Sequence, residues 1–183
     1  GGLGFTLQIL ADFSGYTDLA RGFAFLLGFE TSENFRSPYL ALTPTDFWNR
    51  WHITLSSWLR DYVFFPLRRA LLRRREKIPM WAIQSLPPLV TMFVSGLWHG
   101  VGTNFIFWGI AYGVLIIIYQ GLGMGGDWKP PNRVIGFIAW LVMFSLISLL
   151  FLIFGAPSLT WVWAALSSSF LGTRDQQAVT LLM

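Results

Sequence analysis

Val134-Ile135-Gly136-Phe137-Ile138-Ala139-Trp140-Leu141-Val142-Met143-Phe144-Ser145-Leu146-Ile147-Ser148-Leu149-Leu150-Phe151-Leu152-Ile153-Phe154-Gly155 carries no charge from end to end. A helix needs about 20 mostly apolar residues to cross the hydrocarbon of a bilayer. This run is long enough, and it sets the reading of its neighbours. Residues 104–121 form a second apolar segment, joined to the first by a Gly- and Pro-rich loop, Gly121 to Arg133. Residues 79–98 form a third, which carries Pro87-Pro88 and is expected to be a broken membrane helix whose freed carbonyls its neighbours satisfy. Residues 158–171 read as a shorter amphipathic helix. The fold class expected is all-α, a polytopic membrane protein.

Composition agrees. Of 183 residues, 54% are hydrophobic and only 12% charged, about half the charge of a soluble domain. Mean hydropathy is +0.54. Ten tryptophans exceed what interfacial belts need, so some are expected to line a cavity. There is no cysteine, which excludes disulfides, thiolate metal sites and a cysteine nucleophile. No cluster with metal-ligand spacing and no phosphate loop is seen, so no metal and no tightly bound cofactor is expected. Gly1 is preceded by no Met and followed by no basic n-region, and the chain stops at Met183 without a charged tail. A piece of a longer chain is expected.

Residues 1–29 are apolar but interrupted by Asp12, Asp18 and Arg21. Each ionised group at a helix centre costs roughly 2.5–3.5 kcal/mol on insertion scales, so these are expected to face a bundle interior or water. Asp18 and Arg21 are spaced to pair along one helix face, and Ser14-Gly15 is a candidate kink. Residues 30–43 are polar and irregular, with Pro38 marking extended chain. Thr43-Pro44-Thr45-Asp46 reads as a helix start, with Thr43 as cap and Asp46 completing a capping box. At about 100° per residue, Phe47, Trp48, Trp51, Leu55, Trp58, Leu59 and Tyr62 share one side. Asn49, Arg50, Thr54, Ser56, Ser57, Arg60 and Asp61 share the other. The spacing predicts one amphipathic helix over 43–65, ended by Pro66, which does not span the membrane.

Net charge is +4, concentrated in Arg68, Arg69, Arg73, Arg74, Arg75 and Lys77. Between hydrophobic segments this is a cytoplasmic loop (66–78) under the positive-inside rule, with contact to anionic lipid or a phosphate-bearing donor as the alternative; nucleic acid is not expected. The chain would then leave the cytoplasm through 79–98 and return through 104–121, with Lys129 and Arg133 on the cytoplasmic side.

The only two histidines lie where polar groups are costly: His99 in Gly96-Leu97-Trp98-His99-Gly100, in a turn loosened by Gly96, Gly100 and Gly102, and His52 inside the apolar arc of the amphipathic helix. An imidazole there needs a partner or a task. A hydrogen-bonded structural role is the competing reading for each.

Four blocks carry a resemblance: Asp12-Phe13-Ser14-Gly15-Tyr16-Thr17-Asp18, Phe47-Trp48-Asn49-Arg50-Trp51-His52, Leu55-Ser56-Ser57-Trp58-Leu59-Arg60-Asp61-Tyr62 and Gly96-Leu97-Trp98-His99-Gly100. In this order they resemble the membrane-bound O-acyltransferase family, in the bacterial branch that includes alginate O-acetyltransferases and the D-alanyl transfer protein of teichoic acid synthesis. The likeness runs from Gly1 to about residue 172. It implies a ring of tilted helices around a thinned centre, reached by a tunnel from each face, with an N-terminal half not included here. It also implies transfer of an acyl group from a thioester donor on the cytoplasmic side, acetyl-CoA or a phosphopantetheine carrier, to a hydroxyl outside. The expected setting is the bacterial inner membrane, with multiple passes, an exported polysaccharide as acceptor and periplasmic or extracellular acetyl-transfer partners.

Under the resemblance His99 carries over as the catalytic histidine, acting as general base in its neutral form, and His52 as the second active-site position. His52 would orient the acceptor, polarise the thioester carbonyl or shuttle a proton. Asn49 and Arg50 are candidates for binding acceptor or donor phosphate, or for a structural bond network. Trp48, Trp51, Trp58 and Trp98 would line a tunnel or stack on sugar, or simply pack. Asp12 and Asp18 are candidates for the acceptor funnel, with an ion pair to Arg21 as the competing reading for Asp18, and Tyr16 is a candidate for substrate binding. Ser56 and Ser57 lack the His/Asp support a serine nucleophile needs. The non-enzyme alternatives are a transporter, since buried charges and a broken helix also fit a transport path, and a structural membrane subunit.

Overall fold

A computed structural model describes residues 2–171, and among these every regular element is helical. In chain order they are α1 (Gly2–Leu26), α2 (Pro44–Trp48), α3 (Ile53–Leu59), α4 (Phe65–Leu72), α5 (Met80–His99), α6 (Thr103–Gly121), α7 (Arg133–Gly155) and α8 (Leu159–Leu171). Three of them, α5, α6 and α7, are long and apolar enough to cross a membrane. With 25 residues, α1 has the length but contains Asp12, Asp18 and Arg21. Asp18 and Arg21 pair at 3.6 Å on an exposed face. The helix runs unbroken through Ser14-Gly15.

The proline pair does not break its helix either. Pro87 and Pro88 lie buried inside α5, which is continuous from Met80 to His99. Each proline removes one ladder donor, but α5 is packed between α4 and α6, and tertiary packing outweighs the local loss. Thr91 Oγ1 donates to the Pro87 carbonyl at 2.7 Å. The helix stops at Gly100, whose φ of 145° lies outside the region other residues adopt readily. His99 is thus the last helical residue rather than part of a turn. Gly96 belongs to the helix as well, where it meets α6.

The amphipathic stretch departs most from expectation. Thr43 Oγ1 accepts from Asp46 N–H at 3.1 Å, Pro44 opens α2, and the Asp46 carboxylate accepts from Leu42 N–H at 3.4 Å. After Trp48 the helix stops. Residues 49–52 form a turn, and His52 takes φ 44°, ψ 53° before α3 begins. The turn resets the helical phase. Phe47, Trp51 and Leu59 are buried as the periodicity implies, while Trp58 and Tyr62 are exposed. Pro66 does not end the helix. A π turn at Arg60–Phe64 precedes it, closed by Phe65 N–H on the Arg60 carbonyl, and α4 continues to Leu72. The wider turn relieves the clash a proline ring makes with the carbonyl before it. Pro38, expected in extended chain, opens a short 3₁₀ turn, Pro38–Leu40.

The core joins α2, the 49–52 turn, α6 and α7. Phe47 stacks between Trp51 (centroids 5.7 Å apart) and Tyr112 (6.0 Å). Met143, Ile147 and Phe151 of α7 close the cluster. Two cross-ties fix α7: Trp140 Nε1 donates to the Tyr39 carbonyl at 2.8 Å, and Asn104 Nδ2 donates to the carbonyls of Phe154 (3.1 Å) and Ala156 (3.3 Å). Tyr39 Oη in turn donates to the Thr6 carbonyl, tying α1 to the same layer.

Candidate active site

The break at 49–52 brings His52 towards the end of α5. Both histidines line one cavity of about 420 Å³. Its walls come from α1 (Phe5, Gln8, Ile9, Asp12, Phe13), the turn (Trp51, His52), His99, Trp108 of α6, and Phe151 and Phe154 of α7. The Trp98 ring touches both imidazoles edge-on, His99 at 4.8 Å and His52 at 6.0 Å between centroids.

Aromatic rings hold His99 in place: Phe154 at 4.8 Å and Trp108 at 5.4 Å edge-on, and Phe105 tilted at 6.2 Å. Its ring makes no hydrogen bond to another described residue, so neither ring nitrogen is taken up by one. His52 is held differently. Phe13 packs edge-on at 4.8 Å, and Nδ1 lies 3.3 Å from Asn34 Oδ1. Burial lowers the His52 pKa below its ordinary 6.5, with its own backbone carbonyl opposing that shift. The neutral ring, the form able to accept a proton, therefore prevails at neutral pH.

The other residues singled out by sequence divide between places. Trp51 is a buried core ring on the cavity wall. Asp12 lines the chamber from α1. Trp98 is 61% exposed while contacting both histidines. Tyr16, 70% exposed on α1, is outside the chamber wall. Arg50 is engaged by Asp46 at 2.7 Å and lines neither cavity, which favours the bond-network reading for it. Asn49 faces a second cavity of about 440 Å³ with Arg36, Ser56, Ser57, Arg60 and Gln120. Ser56 Oγ is occupied by the Trp51 carbonyl at 2.9 Å. The Trp48 and Trp108 rings, 5.8 Å apart, meet between the two cavities, one lining each. Sequence reasoning did not find Asn34, Gln8 or Phe154. Asn34 lies in a polar irregular segment, and no periodic signal separates it from Glu33 or Ser32.

The fold is that of a helical membrane protein, and its two histidines line one largely aromatic chamber together with Gln8 and Asp12. Comparison with known proteins makes the class specific: residues 2–156 match the profile of MBOAT, the membrane-bound O-acyltransferase family, and the chain belongs to that family. It is 35% identical to a probable alginate O-acetylase of Pseudomonas aeruginosa over 93% of this chain and 31% of that protein. It is 35% identical to a peptidoglycan O-acetyltransferase of Helicobacter pylori over 86% of this chain and 28% of that protein. With a teichoic acid D-alanyltransferase of Bacillus subtilis the identity is 31%, over 84% and 40%. The chain thus spans about a third of the length of the alginate O-acetylases it matches.

Proposed function

We propose that the protein containing this chain is an O-acyltransferase of the bacterial inner membrane, crossing it several times. In this reading it moves an acetyl group from a thioester donor, acetyl-CoA or a phosphopantetheine carrier, to a hydroxyl of an exported polysaccharide or an intermediate carrier. The shared chamber of His52 and His99 is the observation that carries it. His99 takes the hydroxyl proton as that oxygen attacks the thioester carbonyl. The C–S bond breaks, and the departing thiolate recovers the proton from the imidazolium. The aromatic walls exclude water, which would otherwise hydrolyse the donor.

Orientation follows from charge. With the basic loop between α4 and α5 on the cytoplasmic side, the Asn49, Arg36 and Arg60 cavity serves the donor side, where a donor phosphate competes with Glu33 for Arg36 and with Asp61 for Arg60, and the acceptor enters outside. Bilayer lipid and periplasmic acetyl-transfer proteins are the partners this arrangement calls for. His99→Ala in the full-length protein is expected to insert normally and lose cell-surface ester, with turnover down by about 10²–10⁴-fold. Wild-type ester in that strain would reject the assignment. The likeness to teichoic acid D-alanyltransferases supports a second reading, D-alanyl transfer from a carrier protein. Labelled acetyl or labelled D-alanine in the surface product separates the two.

A further inference from the structure

The Thr54 backbone N–H settles which end of the Asn34 amide is oxygen. A backbone N–H only donates, and that of Thr54 reaches the Asn34 atom at 3.2 Å, with the Thr54 hydroxyl at 3.0 Å. The atom is therefore Oδ1. The same oxygen lies 3.3 Å from His52 Nδ1. A carbonyl oxygen accepts and never donates, so this contact is a hydrogen bond only when Nδ1 carries the proton. In the neutral ring Nε2 is then left with a bare lone pair. The backbone holds the pair together: Ile53 N–H donates to the Asn34 carbonyl at 3.0 Å, and Arg36 N–H to the Arg50 carbonyl at 2.9 Å.

We propose that Asn34 is a positioning residue that makes His52 a hydrogen-bond acceptor at Nε2, so that His52 accepts from a hydroxyl of the acyl acceptor other than the one whose proton His99 takes, and does not polarise the thioester carbonyl. This rests on the acyl-transfer reading of the chamber. A thioester oxygen needs a donor, and a lone pair facing it repels. A hydroxyl offers the hydrogen that the lone pair lacks. The charged or titratable groups sharing the chamber with His52 are Asp12 of α1 and His99 of α5. Glu33, beside Asn34, is taken up by Arg36 at 2.6 Å.

The test uses the full-length protein in lipid, with acyl transfer followed against pH. Asn34→Asp keeps oxygens for both Thr54 and His52 but adds a negative charge at Nδ1–H. It is expected to raise the acid limb due to His52 by about one pH unit. Thr54→Val removes a bond to the same oxygen and leaves that limb in place. Asn34→Leu is expected to cut transfer about tenfold to a hundredfold, the scale on which histidine orienters act at metal sites. In ¹⁵N-histidine spectra, with His52 identified by its loss in His52→Asn, the wild-type ring should be protonated at Nδ1 and become a tautomer mixture in Asn34→Leu. An unmoved limb in Asn34→Asp, or a wild-type His52 protonated at Nε2, overturns the proposal. Should Asn34→Leu fail to fold, the Asn34→Asp profile and the wild-type spectrum still decide. His52→Asn with full transfer would remove the chamber reading and this proposal together. An inactive His52→Asn beside Asn34 variants with wild-type profiles would remove Asn34's role alone.

Discussion

His52 occupies left-handed backbone, at φ 44°. For most residues that conformation costs about 1–2 kcal/mol, and strain of this kind persists where surrounding contacts over-determine it. Here those contacts are the Asn34 side chain and carbonyl and the Phe13 ring. Asparagine tolerates left-handed backbone better than most residues, so His52→Asn should fold. It should also change how stability responds to acid. Burial lowers the His52 pKa in the folded state, so below the unfolded value the unfolded chain binds more protons. The stabilisation is complete above pH 6.5 and is lost as pH falls through the folded-state value. The thermal midpoint of the wild type is expected to drop more than that of His52→Asn between about pH 7.5 and about pH 5.5. Equal slopes would mean that the ring is not buried neutral. Both histidines were legible as candidates because polar side chains are scarce in hydrocarbon. Asn34 was not, because an asparagine in a polar loop is ordinary until its partners are seen.

At the scale of elements, α5 and α6 meet through glycine. A methyl added at Gly96 would collide with the Phe105 carbonyl oxygen, and one at Gly109 with that of Met92. At Gly113 it would lie 2.9 Å from Leu89 Cα. These obstacles are backbone, which cannot swing aside, so the helices must separate. Gly96→Ala and Gly109→Ala are each expected to cost about 1–3 kcal/mol, read as unfolding in detergent, and to enlarge the gap beside His99 and Trp108. Thr43→Ala removes the cap of α2 and should cost about 1 kcal/mol by the same assay. The cap and the two proline sites were visible in sequence, but the effect of the prolines was not. Propensity treats Pro66, Pro87 and Pro88 as breakers; a π turn absorbs the first, and packing between neighbouring helices overrides the other two.

Across the whole molecule, the chamber exists because α1, α5, α6, α7 and the 49–52 turn are tied at its ends. Asn104 is the tie between α6 and the end of α7, using two carbonyls that a helix terminus leaves without partners. Asn104→Ala is expected to cost about 1–3 kcal/mol and to loosen Phe154 from His99, lowering transfer more than stability alone explains. Activity loss in proportion to unfolding would limit Asn104 to a structural role. From sequence alone came the helical membrane class, the three long apolar helices, the family and the two imidazoles, because hydropathy, charge runs and motif order are carried along the chain. Only the tertiary structure decided that His52 and His99 share a cavity, that Asn49 faces another, that Arg50 is spent on Asp46, and that Asn34 reaches His52. Those depend on how helices cross and on one strained turn, where contacts between distant residues outweigh local periodicity.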